Sequence, residues 1–280
     1  MMVEIDKLAR TPLSQILMFA AVLTAVRLIC YPYLAKTNKA DRSGLYPVVK
    51  FVNELSDALI YASIVVFMIV RPFGVQTFYI PSGSMINTLH LNDYIAANKF
   101  IYRVWEPTDG DIVVFKPPKL ARSPGQPESD FIKRLIGRPG DVIEIRDKKL
   151  YRNGKAVHEP YVCYTSGERV LTGEAAENVS IPDFKLIEDN GRIIPVQYQG
   201  SIVNPGYMQV PVDYQPKSEE ERDRWLKAEP AAIPPGYFLF MGDNRNGSFD
   251  SRFWGLVPRE SIIGRSEFIW VPVKRWRITR

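Results

Sequence analysis

Two apolar stretches near the N-terminus constrain this chain more than any other feature of its sequence. The first, residues 13–35, is long enough to span a bilayer, although Arg27 and Pro32 interrupt it. The second covers residues 58–77 and has a purely apolar core. We therefore predict two transmembrane helices at these positions, after an N-terminal tail at 1–12. A buried helix of a soluble protein is the alternative for each stretch.

The charges of the loops predict how the chain crosses the membrane. The segment 36–57 holds four Lys or Arg residues, whereas no Lys or Arg occurs between Arg71 and Lys99. Because short cytoplasmic loops are rich in Lys and Arg, 36–57 is predicted to be a cytoplasmic loop. The region after residue 77 is then predicted to lie on the outer side of the membrane.

The net charge of +5 for the 280 residues is not spread along the chain. Residues 78–273 hold 24 basic and 26 acidic residues, so the excess lies in the first 50 residues and the last seven. A nucleic-acid-binding domain needs a basic face, so no nucleic-acid partner is predicted. The chain has only two cysteines and two histidines, too few for a disulfide scaffold or a zinc site with several histidine ligands. We therefore predict no metal and no cofactor. For the basic C-terminal tail, we expect contact with anionic lipid headgroups.

The region after residue 77 has the pattern of a mainly β protein. Short β-branched and aromatic runs alternate with Gly, Pro, Asn and Asp. Asn153-Gly154 predicts a hairpin turn, and Ser218 with Glu221 forms a capping box at the start of a short helix. Antiparallel sheet is therefore expected from this point onward.

Three turn-rich clusters carry the candidate chemistry: Pro81–Met85, Lys133–Asp141 and Gly242–Arg252. A serine hydroxyl needs a neighbouring base, and neither histidine is well placed to act as one. A lysine can serve if burial lowers its pKa, and Lys133 follows an apolar run that could bury it. Arg134 is expected on the opposite face of the same strand, in solvent. Taken singly, the clusters also fit an ordinary turn, a surface Lys-Arg pair and a hydrogen-bonded bend.

Together and in this order, the clusters resemble the motifs of bacterial type I signal peptidases, which are also called leader peptidases. The serine motif P-S-x-S-M-x-P-T-L resembles Pro81–Leu89, and the lysine motif K-R-x-x-G-x-P-G-D matches Lys133–Asp141 at every fixed position. The motif G-D-N-x-x-x-S-x-D-S-R likewise matches Gly242–Arg252, and the strand motif D-x-x-V-F resembles Asp111–Phe115. The family consists of serine endopeptidases with a Ser-Lys dyad on a membrane-tethered β domain.

The resemblance implies a role for each motif residue. Ser84 would be the nucleophile and Lys133 the general base, with an oxyanion hole from the Ser84 N–H and the Ser82 hydroxyl. Ser248 would orient the lysine amine. Asp250 and Arg252 would support that geometry. Substrate pockets for the small residues before the cleavage site would be lined by Phe78, Ile80, Met85, Leu89 and Ile132.

The resemblance also implies an organisation and a location. The catalytic domain, an antiparallel β-sheet, would comprise 78–146 and 233–280, with an accessory β subdomain at 147–232, tethered by one or two transmembrane helices. The protein would lie in the bacterial inner membrane as a multi-pass protein, with its catalytic domain on the outer side. Its partners would be signal peptides of preproteins and the lipid bilayer.

The chain departs from the family pattern at two places, and its cysteines carry a further expectation. Asn87 stands where the motif has proline, which is expected to loosen the turn after the nucleophile. Asn246-Gly247 replaces the commoner Asp-Asn and is expected to make the loop before Ser248 more flexible. No disulfide is expected at Cys163, which has no cysteine near it in sequence.

Three alternatives stay open on the sequence alone. A specialised relative could process one partner, such as a pilin precursor. Self-cleaving SOS repressors also use a Ser-Lys dyad, but they would need a DNA-binding helical domain where this chain has apolar stretches. A membrane-anchored β domain without catalysis would keep its function after loss of Ser84 and Lys133.

Overall fold

The structure is a computed structural model that describes residues 13–37, 44–65, 74–122, 129–167, 169–204 and 210–279. The chain divides into two compact units, residues 1–77 and 78–280. The smaller unit holds two long helices, and the larger one holds nearly all of the β-structure and the three motif clusters.

The N-terminal unit contains helix α1 (Leu13–Lys36) and helix α2 (Tyr46–Ile64). Arg27 of α1 forms an ion pair with Asp57 of α2 at 2.6 Å, so the charge that interrupts the first apolar stretch has a partner of opposite sign. Among the described residues, one helix is long and apolar enough to cross a bilayer, and it covers Leu17–Lys36.

The boundaries of the second apolar helix and of the loop before it differ from those predicted. Residues 46–57, assigned to the loop 36–57, are helical, because apolar residues at spacings of three and four continue through them despite the polar residues in between. At the far end of the predicted helix 58–77, residues 66–73 lie outside the described part of the chain, and residues 75–77 are in a strand.

The described residues form sixteen strands and four short helices besides α1 and α2. The strands are β1 (Val75–Tyr79), β2 (Tyr94–Asn98), β3 (Ile112–Phe115), β4 (Phe131–Gly137), β5 (Ile143–Arg146), β6 (Lys149–Arg152), β7 (Lys155–Ala156), β8 (Thr165–Ser166), β9 (Arg169–Val170), β10 (Asp183–Asp189), β11 (Arg192–Gln199), β12 (Ile202–Val203), β13 (Tyr237–Met241), β14 (Val257–Pro258), β15 (Ile262–Val271) and β16 (Arg277–Ile278). The helices are α3 (Ile101–Val104), α4 (Glu174–Glu177), α5 (Glu219–Lys227) and α6 (Ser251–Trp254).

The main sheet has the order β1-β2-β15-β3-β4-β13-β14, and β16 pairs with β15 outside this path. The strand pairings resolved within it are antiparallel, which confirms the predicted fold class. The middle strands β3 and β4 are covered on both faces, since all four residues of β3 and the last five of β4 are buried. A side chain at positions 133–137 of β4 is therefore removed from water whichever way it points.

The second sheet has the order β12-β11-β10-β5-β6-β7. It holds five of the seven strands described in the region predicted as an accessory β subdomain at 147–232. It begins earlier than predicted, because β5 pairs with β6 and β10. It also packs with the main sheet in one compact unit: apolar residues of β5 and β10 share a core with Leu239 and Met241 of β13. The predicted boundary at 146/147 is therefore wrong, because a strand needs its hydrogen-bonding partners.

The predicted hairpin turn is confirmed, and the predicted capping box is confirmed in one of its two hydrogen bonds. Asn153 and Gly154 both have positive φ, at 51° and 77°, which is the conformation that a two-residue hairpin between β6 and β7 requires. Helix α5 begins after Ser218, whose hydroxyl accepts from the Glu221 N–H at 3.1 Å. The Glu221 carboxylate accepts from the Lys217 N–H, one residue before the position expected for a capping box.

Candidate active site

The candidate nucleophile lies on a short 3₁₀ turn, Gly83–Met85, which follows β1. Ser84 is buried, and its carbonyl accepts from the Asn244 N–H at 3.1 Å. The Asn244 side chain donates to the Gly83 carbonyl at 3.1 Å. A Cβ at Gly242 would lie 2.5 Å from the Ser84 carbonyl oxygen, so only glycine permits this approach. The third cluster thus holds the first in place.

Lys133 lies on β4 opposite Val113 of β3 and reaches the Ser84 hydroxyl. The distance from Nζ to Ser84 Oγ is 2.6 Å. The lysine is only 6% exposed, and burial lowers its pKa from 10.5 to about 8, although Asp250 and Asp243 oppose the shift. The structure therefore brings together a serine hydroxyl and an amine that can be neutral near neutral pH.

Ser82 and Ser248 are the two further serines implicated by the motifs. Ser82 Oγ lies 3.4 Å from Ser84 Oγ, next to the candidate nucleophile. Ser248 is fully buried against Gly242, where an added Cβ would lie 2.2 Å from its hydroxyl. Within the described part of the chain, the Ser248 hydroxyl forms no hydrogen bond to the Lys133 amine. The implied orienting contact therefore stays a prediction.

Asp250 and Arg252 form a buried ion pair, at 2.8 Å from Arg252 Nε to Asp250 Oδ1. Asp250 also accepts from the Gly242 N–H at 3.0 Å, and Arg252 donates to the Arg245 carbonyl at 2.8 Å. Burial alone would raise the pKa of Asp250, but Arg252 and the Gly242 N–H outweigh it and hold the pKa below its ordinary value. This pair fixes the shape of the third cluster.

Arg134 corrects one sequence prediction. It was expected in solvent, but it is 5% exposed and forks onto Asp243 at 2.6 and 2.8 Å. It also donates to the Gly110 carbonyl and lies 3.9 Å from the centre of the Tyr161 ring. The alternation along β4 does not expose it, because a buried carboxylate and an aromatic ring cover that face of the strand.

A cavity of about 410 Å³ opens beside Ser84 and Lys133. Three of the five predicted pocket residues line it, namely Ile80, Met85 and Ile132. Leu89 is fully buried and packs in the core with Phe78, so neither lines the cavity. The sequence analysis missed five residues of the lining: Pro81, Ser129, Phe131, Gly247 and Phe249.

The two departures from the family motifs each have a defined local conformation, and the expected loosening of their loops stays a prediction. Asn87 has φ +78°, a left-handed conformation that proline cannot adopt and that asparagine tolerates. The side-chain amide of Asn246 accepts from the Thr165 N–H and donates to the Thr165 carbonyl, both at 2.8 Å. Both cysteines are free, and Cys163 donates its thiol to the Ile86 carbonyl.

The fold and the site together define a class of protein. An antiparallel β domain that sets a serine hydroxyl against a buried lysine amine, at the edge of an apolar cavity, has the arrangement of a serine hydrolase.

Comparison with known proteins places the chain within that class. The family model for signal peptidase, peptidase S26, matches residues 52–271. Signal peptidase I of Aquifex aeolicus is 34% identical over 75% of this chain and 81% of its own length, and that of Leptolyngbya laminosa is 32% identical over 76% and 77%. The chain in a crystal structure of signal peptidase I from Enterococcus faecalis is 26% identical in sequence, and the match covers 58% of this chain and 97% of the Enterococcus chain. The TM-score of 0.32 is too low to establish a common fold. The chain belongs to the signal peptidase I family and is a serine endopeptidase.

Proposed function

We propose that this protein removes N-terminal signal peptides from exported preproteins after small residues of the Ala-x-Ala type, with Ser84 as nucleophile and Lys133 as general base. The observation that carries the proposal is the 2.6 Å contact between Ser84 Oγ and a buried lysine amine whose pKa is lowered to about 8. A lysine at its ordinary pKa of 10.5 would be about 0.3% neutral at pH 8, whereas about half of this one is neutral.

The chemistry follows from this geometry. The neutral Lys133 amine takes the proton from the Ser84 hydroxyl while Oγ bonds to the scissile carbonyl carbon. The ammonium then gives its proton to the departing amine, which leaves an acyl-enzyme on Ser84. The same amine then takes a proton from a water whose oxygen bonds to the acyl carbon. It gives that proton to Ser84 Oγ as the ester bond breaks, which releases the carboxyl end of the signal peptide and restores the serine.

The negative charge that develops on the carbonyl oxygen needs donors. We assign that role to the Ser84 N–H and the Ser82 hydroxyl, which lies beside the nucleophile at 3.4 Å. Removal of one such donor in a serine protease typically costs roughly 10²–10³-fold in kcat.

The lining of the cavity supports a preference for small residues. Ile80, Met85, Phe131, Ile132 and Phe249 give the cavity beside the hydroxyl a largely apolar lining. An alanine methyl group of the substrate fits beside such side chains more readily than a large one.

We further propose that the protein is multi-pass in the bacterial inner membrane, with its catalytic domain on the outer side. The apolar helix Leu17–Lys36 and the Lys/Arg-rich segment 36–57 support this orientation. Signal peptides emerging across the bilayer would meet the active site there. Dedicated processing of a single preprotein stays the alternative, and a panel of unrelated preproteins separates the two.

The test is cleavage of a preprotein with an Ala-x-Ala site by the purified protein in detergent. Ser84→Ala and Lys133→Ala should each abolish correct cleavage while circular dichroism shows the fold retained. Lys185→Met is the matched control, because Lys185 is also buried but caps the backbone at Leu226 and Ala228 in the second sheet region. Cleavage by either active-site variant at the wild-type rate would refute the proposal.

A further inference from the structure

The basic C-terminal tail contacts the segment that carries the candidate nucleophile. Two of its arginines, Arg275 and Arg277, make side-chain contacts within residues 87–93, on the segment that follows Ser84. Both contacts lie within the compact unit 78–280. The feature that first suggested lipid headgroups therefore has intramolecular partners.

Arg275 fixes the base of this segment. Its guanidinium donates two hydrogen bonds to the Asp93 carboxylate, from Nε to Oδ1 and from Nη2 to Oδ2, both at 2.9 Å. Asp93 is 1% exposed. The same carboxylate accepts from the His90 N–H at 2.8 Å, and the Asp93 carbonyl accepts from the Ile80 N–H at 2.9 Å. Asp93 thus joins the two ends of the segment 80–93, and Arg275 neutralises its buried charge.

Arg277 holds the turn just beyond the nucleophile. Its Nη2 donates to the Asn87 carbonyl at 2.9 Å and also to the Thr88 carbonyl. Asn87 is in the left-handed conformation, with φ +78°, at the position where the turn changes direction. One guanidinium group bound to both carbonyls restricts that turn.

The tail is itself anchored on the strand that also supports the end of the nucleophile segment. β16 pairs with β15 through Ile269 and Arg277, and the Thr279 N–H donates to the Glu267 carbonyl at 3.0 Å. β15 also pairs with β2, which begins at Tyr94, directly after the segment. Arg277 therefore lies on a paired strand, and Arg275 lies in the short turn, Val273–Arg275, directly before it.

We propose that Arg275 and Arg277 are positioning residues, which hold residues 81–93 so that the Ser84 hydroxyl stays in reach of the Lys133 amine. The inference rests on the proposed function, since it takes Ser84 as the nucleophile. It predicts that the tail contributes to the chemical step rather than to the attraction of lipid.

The experiment compares Arg277→Ala with Lys274→Ala in the full-length protein, with a soluble Ala-x-Ala peptide in neutral detergent. Lys274 is exposed in the same tail and has the same charge, so it is the matched control. Arg277→Ala should lower kcat about tenfold with little change in KM, because a small displacement of a reacting group costs rate rather than binding. Lys274→Ala should behave as wild type, and Arg277→Lys should recover part of kcat.

Arg275 needs a milder change, because its loss leaves the Asp93 carboxylate buried and unpaired. Arg275→Lys keeps the positive charge but removes the paired hydrogen bonds that the guanidinium makes with Asp93. It should lower kcat without a matching fall in the melting temperature. The pH at which the rate rises should stay where wild type has it in all these variants, since the burial of Lys133 is unchanged.

Three outcomes would overturn the inference. The first is an equal kcat for Arg277→Ala and wild type, and the second is a loss of activity that the unfolded fraction of the variant explains. The third needs the same assay in vesicles of anionic lipid: Arg277→Ala and Lys274→Ala lose activity equally there and lose none in neutral detergent. The last result would assign the tail to lipid headgroups. Full activity of Ser84→Ala in the same assay would instead refute the proposed function, so the two failures are distinguishable.

Discussion

Lys133 shows what the site requires of a single residue. The main sheet buries its amine. The resulting pKa of about 8, in place of 10.5, means that the charged form is disfavoured in the folded protein by about 3 kcal/mol. The same burial makes the amine available as a base near neutral pH. Stability and reactivity are therefore opposed at this position.

We predict that Lys133→Met stabilises the protein while abolishing cleavage. At pH 7 both the folded and the unfolded wild type carry the charge, so the full penalty of about 3 kcal/mol applies. As pH rises from 8 to 10.5 the unfolded lysine binds more protons than the folded one, so wild-type stability increases and the advantage of the variant shrinks. Urea unfolding of wild type and variant at pH 7 and at pH 10 measures the stability difference and its decrease with pH. A variant less stable than wild type at pH 7 would contradict the burial argument.

At the scale of elements, the segment 159–165 links the second sheet to the third cluster. Glu159 forms a buried ion pair with Arg245 at 2.6 Å, and Cys163 exchanges backbone hydrogen bonds with Asp243 and Arg245. Burial alone would lower the pKa of Arg245, but Glu159 outweighs it and raises that pKa. The segment supports Asn244, which in turn holds the Ser84 turn.

Glu159→Ala should therefore destabilise the protein by about 3–5 kcal/mol, because it leaves the Arg245 guanidinium buried without its carboxylate. It should also lower kcat through the loosened third cluster. Glu106→Ala is the control: Glu106 pairs with Arg259 at 2.9 Å but is largely exposed, so a loss of only about 0–1 kcal/mol is expected. Thermal and urea unfolding measure the free energy of unfolding of both variants. Equal losses of stability in Glu159→Ala and Glu106→Ala would contradict the prediction that the buried pair contributes more.

Short motifs predict the chemistry of this chain better than its supporting contacts. Ser84, Lys133, Asp250 and the glycine at 242 belong to local patterns with a chemical reason for each residue type. The burial of Arg134 was not predicted, because a two-residue alternation says nothing about what covers each face. The contacts of Arg277 with residues 87 and 88 join positions about 190 apart in sequence, and only the pairing of β15 with β2 and β16 brings them together.

At the scale of the whole molecule, the division into two units predicts that catalysis needs only the larger one. Residues 78–280 contain the three clusters, the cavity and the buried ion pairs that shape them. A chain beginning at Gly74, which keeps β1, should fold and cleave a soluble Ala-x-Ala peptide at nearly the full-length rate. An inactive but folded product, beside an active full-length protein in the same detergent, would show that the helices contribute to the site.

The most direct test of the account is the pH dependence of kcat/KM for wild-type cleavage of a soluble peptide, because this quantity reports the pKa values of the free enzyme. The account predicts that kcat/KM rises with pH and levels off above a pKa of about 8, as the buried Lys133 amine loses its proton. A rise that continues to the ordinary lysine value near 10.5 would contradict a buried lysine base at this site.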